Sequence, residues 1–495
     1  MKKEKGPYID VGEISEERFG GVRANAKENG EIIKNVFLDV FDILVRESKV
    51  SGRTVVFANC DGLTSSRNIT EAVIKPVLNF NKPLPDNNCA DFLIENVLLT
   101  TEVKKEKSLD SAILDILRGN IIVFIDGETE CVTVGVQSLP ERSLEEPETE
   151  VQERGSREGF VENVKTNLTL VRKRLCTVNF KVKMLEIGKT GKTRVAVCYM
   201  EDKVKKETLN EVMRRLSNTE YDMIYDATYL RQTLDTKRKS MFSMVGTTER
   251  PDTFSAKLNE GKVGLLVDGT PFALVVPILF IENFQELDDY FNRPYFATFI
   301  RIIRITAFLI SVFLPGIFVS ICLFHQELLP NDILYSIVLM ESNTLFDLTT
   351  EALIIHLIYE FVREAGIRMP KAVGHAVSIV GALVIGDAAV SAGLIGAPML
   401  IVVALSAITS LVVSTLYQPT AVLRIGFIAV GGLTGLYGLM LGAAFLIMSL
   451  ASMNDYGISF LSPLTPYDRS LWRDTFSRAG VTSLEKRIFN INKLN

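Results

Sequence analysis

Histidine, cysteine and tryptophan are scarce in this chain of 495 residues, which contains 3 histidines, 6 cysteines and 1 tryptophan. His325, His356 and His375 show no ligand-like spacing with cysteine or with one another, so we expect no metal site. The cysteines form no CxxC pair, and no apolar signal segment follows the first basic residues. We therefore expect reduced, structural cysteines in a cytosolic domain.

An excess of basic charge is also lacking, because 54 lysines and arginines face 59 acidic residues. The net charge of −5 provides no positive field for nucleic acid. No nucleophile elbow, zinc motif or dinucleotide fingerprint occurs. The string EIGKTGKTR places Glu186 or Lys183 where a phosphate loop requires its first glycine. The sequence therefore predicts a protein that is not an enzyme, uses no cofactor and binds no nucleic acid.

Charge is nearly absent from one long part of the chain. Between Lys371 and Asp455 the formal charges are Asp387 and Arg424. Uncharged runs of about twenty residues are long enough to cross a bilayer as helices. We predict an all-α, multi-span membrane domain at 288–454, with spans near 305–324, 372–392, 396–417 and 425–450.

The segment 331–365 is apolar but contains several acids. It is interpreted as an amphipathic helix at the membrane interface, a re-entrant pair or one more helical hairpin, which leaves four or six spans. Arg301 and Arg304 precede the first predicted span and Arg473 follows the last. This distribution places both flanks in the cytoplasm and makes the number of spans even.

The more polar first half contains an internal repeat. LRGNIIVFIDGETECVTV, which begins at Leu117, aligns without gaps with NEGKVGLLVDGTPFALVV, and Gly127 then pairs with Gly269. Each string is typical of a strand, an Asp-Gly turn and a second strand. A weaker similarity further upstream links TVVFANCDGL with RVAVCYMEDK. We predict two similar α/β cytosolic subdomains at 31–140 and 165–287, a polar linker at 141–164, a flexible N-terminal tail at 1–30 and a basic C-terminal tail at 455–495.

Polar side chains within the apolar part are the candidates for function, because an acid in a membrane segment needs water, a cation or a partner. On a helix through 344–351, Thr344, Asp347 and Glu351 share a narrow sector, since each residue turns by about 100°. Candidates for an ion path are Glu351, Asp347, Thr344, Asp387 and Glu360.

A second interpretation of these acids remains open. They form ion pairs or hydrogen bonds inside one chain, with Arg363, Arg368 or Arg424 as partners, or Asp387 is protonated and neutral. Pro315, in the middle of the first predicted span, and Gly435, in the glycine-rich last span, are candidates for gating hinges.

Long strings between Asn35 and Pro466 resemble one known family, the A subunits of bacterial spore germinant receptors (GerA type). They include EEPETEVQERGSREGFVENVKTNLTLVRKRL, TTERPDTFSAKLNEGKVGLLVDGTPFALVVP, RPYFATFIRIIR, REAGIRMPKAVGHAVSIVGALVIGDAAVSAGLI and FLSPLTP, in family order. Within EALIIHLIYEFVREAG, the family-like positions are Glu351, Glu360, Arg363, Glu364 and Gly366.

The resemblance implies a multi-pass protein of the spore inner membrane whose N- and C-terminal regions are cytoplasmic. It implies a homo-oligomer that works with a permease-like B subunit and a lipoprotein C subunit, and that forms a nutrient-gated channel releasing monovalent cations at germination. The alternative is a non-conducting scaffold or signalling paralogue that acts with the dipicolinate-release machinery. A secondary transporter is a third reading, although the membrane half has no inverted repeat.

Overall fold

The structure is a computed structural model that describes residues 18–80, 85, 88–137, 146–147, 149–152, 154–235, 240–369, 386–465 and 472–479. An α/β region with two five-stranded sheets is followed by a helical region. This order agrees with the predicted order of an α/β part and an α part.

Subdomain 1 is a five-stranded antiparallel sheet with helices packed against it. Its strand order is β1-β2-β4-β5-β3. The elements are α1 (Ala26–Val36), β1 (Ile43–Val50), β2 (Arg53–Cys60), α2 (Ser66–Ile69), a π-helical turn (Thr70–Ile74), α3 (Lys75–Leu78), α4 (Cys89–Asn96), β3 (Val103–Glu106), α5 (Leu109–Leu117), β4 (Asn120–Ile125) and β5 (Cys131–Gly135).

Subdomain 2 repeats this arrangement with the strand order β6-β7-β9-β10-β8. Its elements are α6 (Val164–Arg174), β6 (Phe180–Ile187), β7 (Thr193–Met200), α7 (Lys206–Ser217), α8 (Ala227–Leu234), β8 (Gly246–Thr248), α9 (Pro251–Asn259), β9 (Val263–Val267) and β10 (Ala273–Val276). The two halves of the predicted repeat therefore occupy equivalent places. Gly127 and Gly269 both have positive φ, 92° and 91°, which glycine adopts without steric cost.

The repeat extends further upstream than the sequence alignment indicated. Asn25 caps α1 and Asn163 caps α6, each accepting hydrogen bonds from two backbone N–H groups of its helix. Asp126 and Asp268, from the two Asp-Gly turns, accept from the first backbone N–H of the same helices, at 3.4 and 3.1 Å. Each subdomain thus begins with a helix that its own hairpin turn holds. The first helix starts at Ala26, before the predicted boundary at 31, and the second starts at Val164, next to the predicted boundary at 165.

A buried ion pair joins the two subdomains. Arg172 of α6 donates from Nε and Nη2 to the two carboxylate oxygens of Asp42, at 3.0 and 2.8 Å. The Arg172 guanidinium lies over the ring of Phe180 and is fully buried. Two parallel bonds from a planar guanidinium fix the relative direction of the partners. This pair is one of the contacts that hold subdomain 1 against subdomain 2, together with the bond from Lys181 Nζ to the carbonyl of Val36.

The helical region contains α10 (Asp288–Phe291), α11 (Pro294–Phe324), α12 (Asn331–Glu341), α13 (Leu348–Arg368), α14 (described residues 386–391), α15 (Ala397–Val412) and α16 (Tyr417–Ala451). Within the described residues, two segments are long and apolar enough to cross a membrane, Pro294–Phe324 and Ser414–Ala451. The helix α15 is apolar but shorter. Most of the predicted span at 372–392 lies outside the described residues.

The segment after α16 folds back onto the soluble region. Asp455, in the small hairpin of β11 (Asn454–Asp455) and β12 (Ile458–Ser459), accepts from Arg215 Nη2 at 2.6 Å. Tyr456 enters the core of subdomain 2, and Phe460 is fully buried. Residues 455–465 of the predicted basic C-terminal tail thus pack on the soluble region, because their side chains bury apolar surface there.

Arginines at the start of α11 connect the helical region to the chain around it. Arg301 donates to Asp289 Oδ2 at 2.9 Å and to Asp474 Oδ1 at 3.0 Å. Arg304 donates to the other oxygen of Asp289 at 2.8 Å. These residues, used above only as markers of membrane orientation, hold α10, α11 and the described C-terminal residues 472–479 together.

Candidate functional site

The predicted ion-path residue Glu351 is fully buried in the first turn of α13. Its Oε1 accepts a hydrogen bond of 2.6 Å from the backbone N–H of Gly396, just before α15. The next residue along α13, Ala352, belongs to a buried apolar cluster with Val319 of α11 and Met399 of α15. The Glu351 carboxyl group is thus buried in a part of the helical region where apolar side chains of several helices meet.

A second carboxyl group, that of Glu341 at the end of α12, lies beside Glu351. The two side chains are within hydrogen-bonding reach of each other. The Glu341 carboxylate also lies against Gly396, where an added Cβ would displace it. Glu341 Oε1 and Glu351 Oε2 are both buried, and among the described residues neither receives a hydrogen bond. Sequence reasoning missed Glu341, because it lies on a different helix from Glu351.

Thr344 and Asp347 do not share a helical face with Glu351, so that prediction is wrong. The helix α13 begins at Leu348, and Asp347 is its N-cap. The Asp347 carboxylate accepts from the backbone N–H of Thr350 at 3.2 Å and from its hydroxyl at 2.6 Å. Thr344 lies in the preceding turn and donates to the carbonyl of Glu341 at 2.8 Å. Aspartate at an N-cap accepts from a free backbone N–H of the first turn, so the helix begins after Asp347 and does not extend back to Thr344.

The two remaining acids lie apart from this pair. Asp387, on α14, is exposed on the surface of the chain. Glu360 accepts a hydrogen bond of 2.5 Å from the hydroxyl of Tyr417, and the Arg363 guanidinium lies over the Tyr417 ring. Glu364, which follows them, pairs with Arg368 at 2.7 Å. The partner interpretation therefore fits Glu360, whereas Asp387 faces outward.

Pro315, the predicted hinge in α11, is buried in the middle of a continuous helix. Proline has no N–H, so the carbonyl four residues earlier, that of Ser311, receives no bond within the helix. Arg424 of α16 supplies the missing donor, with its Nε 2.9 Å from the Ser311 oxygen. Among the described residues, Arg424 therefore pairs with no acid, contrary to one interpretation of the sequence.

The buried Arg424 continues into a polar network between helices. Its Nη2 donates to the carbonyl of Ser406 in α15 at 3.4 Å. The Ser406 hydroxyl lies 3.3 Å from His356 Nε2, while His356 Nδ1 lies 2.8 Å from the Ala352 carbonyl. All three side chains are buried. The signal for this network was a lone arginine in an apolar run, together with a mid-helix proline.

Glycine allows α11 and α16 to cross in close contact. A Cβ on Gly431 would lie 2.6 Å from the carbonyl oxygen of Gly316, and a Cβ on Gly316 would lie 2.6 Å from that of Phe427. Such contacts leave no room for a methyl group. Four residues beyond Gly431, the predicted hinge Gly435 interrupts α16 with φ 65° and ψ −159°. Only glycine adopts this conformation readily.

The described residues contain no group of three or more histidine, cysteine, aspartate or glutamate side chains suited to a metal ion. The features of the helical region that bear on function are instead the carboxyl pair, the arginine bonded to helix carbonyls and the break at Gly435. The carboxyl pair has the parts of a small-cation or proton site, and Gly435 interrupts a neighbouring helix.

Comparisons with known proteins agree on one family. The family described as Bacillus/Clostridium GerA spore germination protein matches residues 31–489. Spore germination protein KA of Bacillus subtilis (strain 168) is 34% identical over 459 residues, which cover 91% of this chain and 84% of that protein. The uncharacterized membrane protein YfkQ of the same organism is 31% identical, with 98% of this chain and 95% of that protein covered.

Two further comparisons concern proteins from other species. Spore germination protein GerLA of Bacillus cereus is 31% identical over 451 residues, which cover 90% of this chain and 91% of that protein. The crystal structure of the N-terminal domain of the A subunit of the Bacillus megaterium spore germinant receptor GerK3 aligns at 21% identity. It covers 52% of this chain and 97% of that chain, with a TM-score of 0.42.

Proposed function

Because the chain belongs to the GerA family of spore germination proteins, we propose that it is the A subunit of a nutrient-responsive germinant receptor. In this proposal, copies of the chain oligomerise into a nutrient-gated channel that releases monovalent cations and so starts germination. Glu351 is the observation that carries the conduction step. Its carboxyl group is fully buried among apolar helices, and within the described residues its Oε2 has no donor. Such a group is costly unless water or a cation reaches it.

The surface of the helical region supports a membrane location and self-association. On α16, Leu433, Tyr437 and Phe445 are exposed by 77%, 72% and 71% of their surface. Large apolar side chains in this number call for lipid or for other protein surfaces. We place the chain in the spore inner membrane with both terminal regions in the cytoplasm. Its partners in the proposal are further copies of itself, a permease-like B subunit and a lipoprotein C subunit.

Gating in this proposal uses the break in α16. Gly435 lies against the end of α11, where an added Cβ would be 3.2 Å from Phe324. The same helix leads into the hairpin that is bonded to Arg215 of subdomain 2. A rotation at Gly435 therefore changes the crossing with α11 and the attachment to the soluble region together. Bistable contacts of this kind are what a gate requires.

The second candidate is a non-conducting scaffold that relays a signal from a partner subunit. Glu360 favours it, because this acid is satisfied inside one chain by the Tyr417 hydroxyl. The ion pairs of Arg301 and Arg304 also give α11 a firm attachment to the soluble side. Under this reading, the acids of the helical region hold helices together and no ion passes them.

Nutrient-triggered potassium release from spores distinguishes the two candidates. Spores carry Glu351→Ala, Asp387→Ala or the control Glu364→Ala, with matched protein levels and confirmed assembly of the receptor. Glu364 is an exposed acid whose loss removes a surface ion pair with Arg368. We expect slower release or altered ion preference for Glu351→Ala, and normal release for the control. Normal release in both Glu351→Ala and Asp387→Ala would reject conduction past these acids and favour the scaffold.

A further inference from the structure

The carboxyl groups of Glu341 and Glu351 are within hydrogen-bonding reach of each other, and no described N–H or O–H group donates to Glu341 Oε1 or Glu351 Oε2. The backbone N–H of Gly396 is bonded to Glu351 Oε1, which leaves Oε2 free. Glu341 Oε1 is likewise buried and unbonded within the described residues. Two acceptors in contact repel unless something positive lies between them.

The surroundings offer that pair no balancing charge from the described part of the chain. The titratable group of α11 on this side is the thiol of Cys322, next to Glu341. On α13, Asp347 is turned to the surface as a cap and His356 is bonded to Ala352 and Ser406. On α16, Arg424 is bonded to helix carbonyls. On α12, Asp332 is exposed at the opposite end, and the described helix α15 carries no charged residue.

We propose that Glu341 and Glu351 bind one proton between them, so that one carboxylic acid donates to the other carboxylate. The pair then has a single negative charge and one strong hydrogen bond, instead of two adjacent charges in hydrocarbon. A proton fits better than an alkali ion, because two carboxylates converge here and an alkali ion needs several more oxygen ligands. The shared proton ties the end of α12 to the start of α13.

This inference deepens the proposed function, and its importance for conduction rests on that function. Glu351 was a candidate for the ion path, and Glu341 is now assigned as its partner. Loss of the shared proton leaves two facing negative charges, which separates α12 from α13 or admits a cation between them. In the proposed channel, the shared proton therefore keeps α12 and α13 together at Glu351, and its loss opens this part of the ion path.

Infrared spectroscopy of the full-length protein in lipid nanodiscs at neutral pH tests the inference. A protonated carboxyl group has a C=O stretching band that shifts on exchange into D2O. We expect in the wild type a band beside any contribution from the protonated Glu150, its loss in both Glu351→Gln and Glu341→Gln, and its retention in the controls Glu364→Gln and Glu150→Gln. Each glutamine keeps the side-chain shape and donates an N–H to the remaining carboxylate, which then ionises. A wild type without the band, or both glutamine variants with the band unchanged, would overturn the inference.

Two further measurements distinguish a bound proton from a bound alkali ion, and distinguish failure of this inference from failure of the proposed channel function. Replacement of choline chloride by potassium chloride at constant pH should leave the band unchanged. Loss of the band in potassium chloride would mean that the carboxyl pair binds an alkali ion and would overturn the inference of a shared proton. Thermal unfolding shows whether each variant folds. If Glu351→Gln does not fold, Glu341→Gln still tests the inference, because Glu341 is only partly buried. The infrared band does not depend on ion flux. If the wild type shows the band but Glu351→Ala spores release potassium normally, the shared proton stands and only the proposed conduction past Glu351 is rejected.

Discussion

Arg424 Nε donates to the carbonyl oxygen of Ser311 over 2.9 Å, and this carbonyl is the one that Pro315 leaves without a donor in its own helix. A proline inside a helix leaves that carbonyl without a backbone donor, and a side chain of a neighbouring helix can supply one. Arg424 therefore has a structural partner 113 residues away, and its bond connects α16 to α11 at the position where α11 lacks a backbone hydrogen bond.

Arg424→Leu should lower the free energy of unfolding by about 2 to 4 kcal/mol, because the carbonyl of Ser311 and that of Ser406 lose a charged donor. In a Pro315→Ala background the restored backbone N–H bonds to Ser311 within the helix, so the cost of Arg424→Leu should fall by about 1 to 2 kcal/mol. Thermal unfolding of the four proteins of this double-mutant cycle in nanodiscs measures the coupling. Additive effects of the two substitutions would contradict the assignment of this bond.

Gly431→Ala should disrupt the crossing of α11 and α16, because its Cβ would lie 2.6 Å from the carbonyl oxygen of Gly316. Overpacking of this kind costs about 1 to 3 kcal/mol. Gly426→Ala on the same helix is the matched control, since nothing lies within 4 Å of its Cβ. The melting temperatures should show a loss for Gly431→Ala and no loss for the control. Equal melting temperatures would mean that this crossing is loose.

Gly435→Ala should slow nutrient-triggered potassium release while the protein still assembles. Alanine at φ 65° and ψ −159° is strained, so the substitution favours an unbroken helix. Release kinetics from spores with matched protein levels provide the measurement, with Gly426→Ala again as control. Unchanged release in the Gly435→Ala spores would exclude this break from gating.

Asp42→Ala should destabilise the contact between subdomains by about 3 to 5 kcal/mol, because it leaves the fully buried Arg172 without its carboxylate. Lys165→Ala removes an ion pair with Asp61 that also spans the subdomains but is partly exposed, at 2.8 Å, and should cost less than about 1 kcal/mol. Denaturant midpoints of the two variants give the comparison. Similar midpoints would show that burial does not raise the importance of the Arg172 pair.

The stability of the soluble region should fall as pH rises from about 5 to about 7 through Glu150. Burial raises the pKa of Glu150 to about 7, above its usual 4.5, so the folded chain holds a proton that the unfolded chain releases. Each pH step in this window therefore favours unfolding, and the effect ends above the folded pKa. In Glu150→Gln this contribution should be absent, which raises its melting temperature relative to wild type at pH 8 but not at pH 4. Parallel pH profiles for the two proteins would refute the assignment.

Local patterns in the sequence predicted several elements of the fold. The strand, Asp-Gly turn and strand of each repeat depend on neighbouring residues, and the structure confirms both as β4–β5 and β9–β10. The apolar runs near 305–324 and 425–450 lie within α11 and α16. Gly435 was singled out among the glycines of the last helix, and it is the residue with non-helical geometry there. Its role in gating stays a prediction.

Where local rules competed, the sequence was insufficient. The spacing of Thr344, Asp347 and Glu351 fits one helical face, but aspartate also caps helices, and the cap at Asp347 prevailed. The polar composition after 455 fits a tail, yet Tyr456 and Phe460 find a buried surface on the soluble region. Composition cannot show that such a surface exists.

The sequence alone therefore determined the order of an α/β part and an apolar helical part, because hydrophobic periodicity, run length and turn residues act over a few positions. The tertiary structure alone decided which polar groups meet. The bond from Arg424 to Ser311 and the contact between Glu341 and Glu351 join different helices. In both cases a donor or acceptor that its own segment cannot satisfy must find a partner elsewhere in the fold, and packing decides which one it reaches.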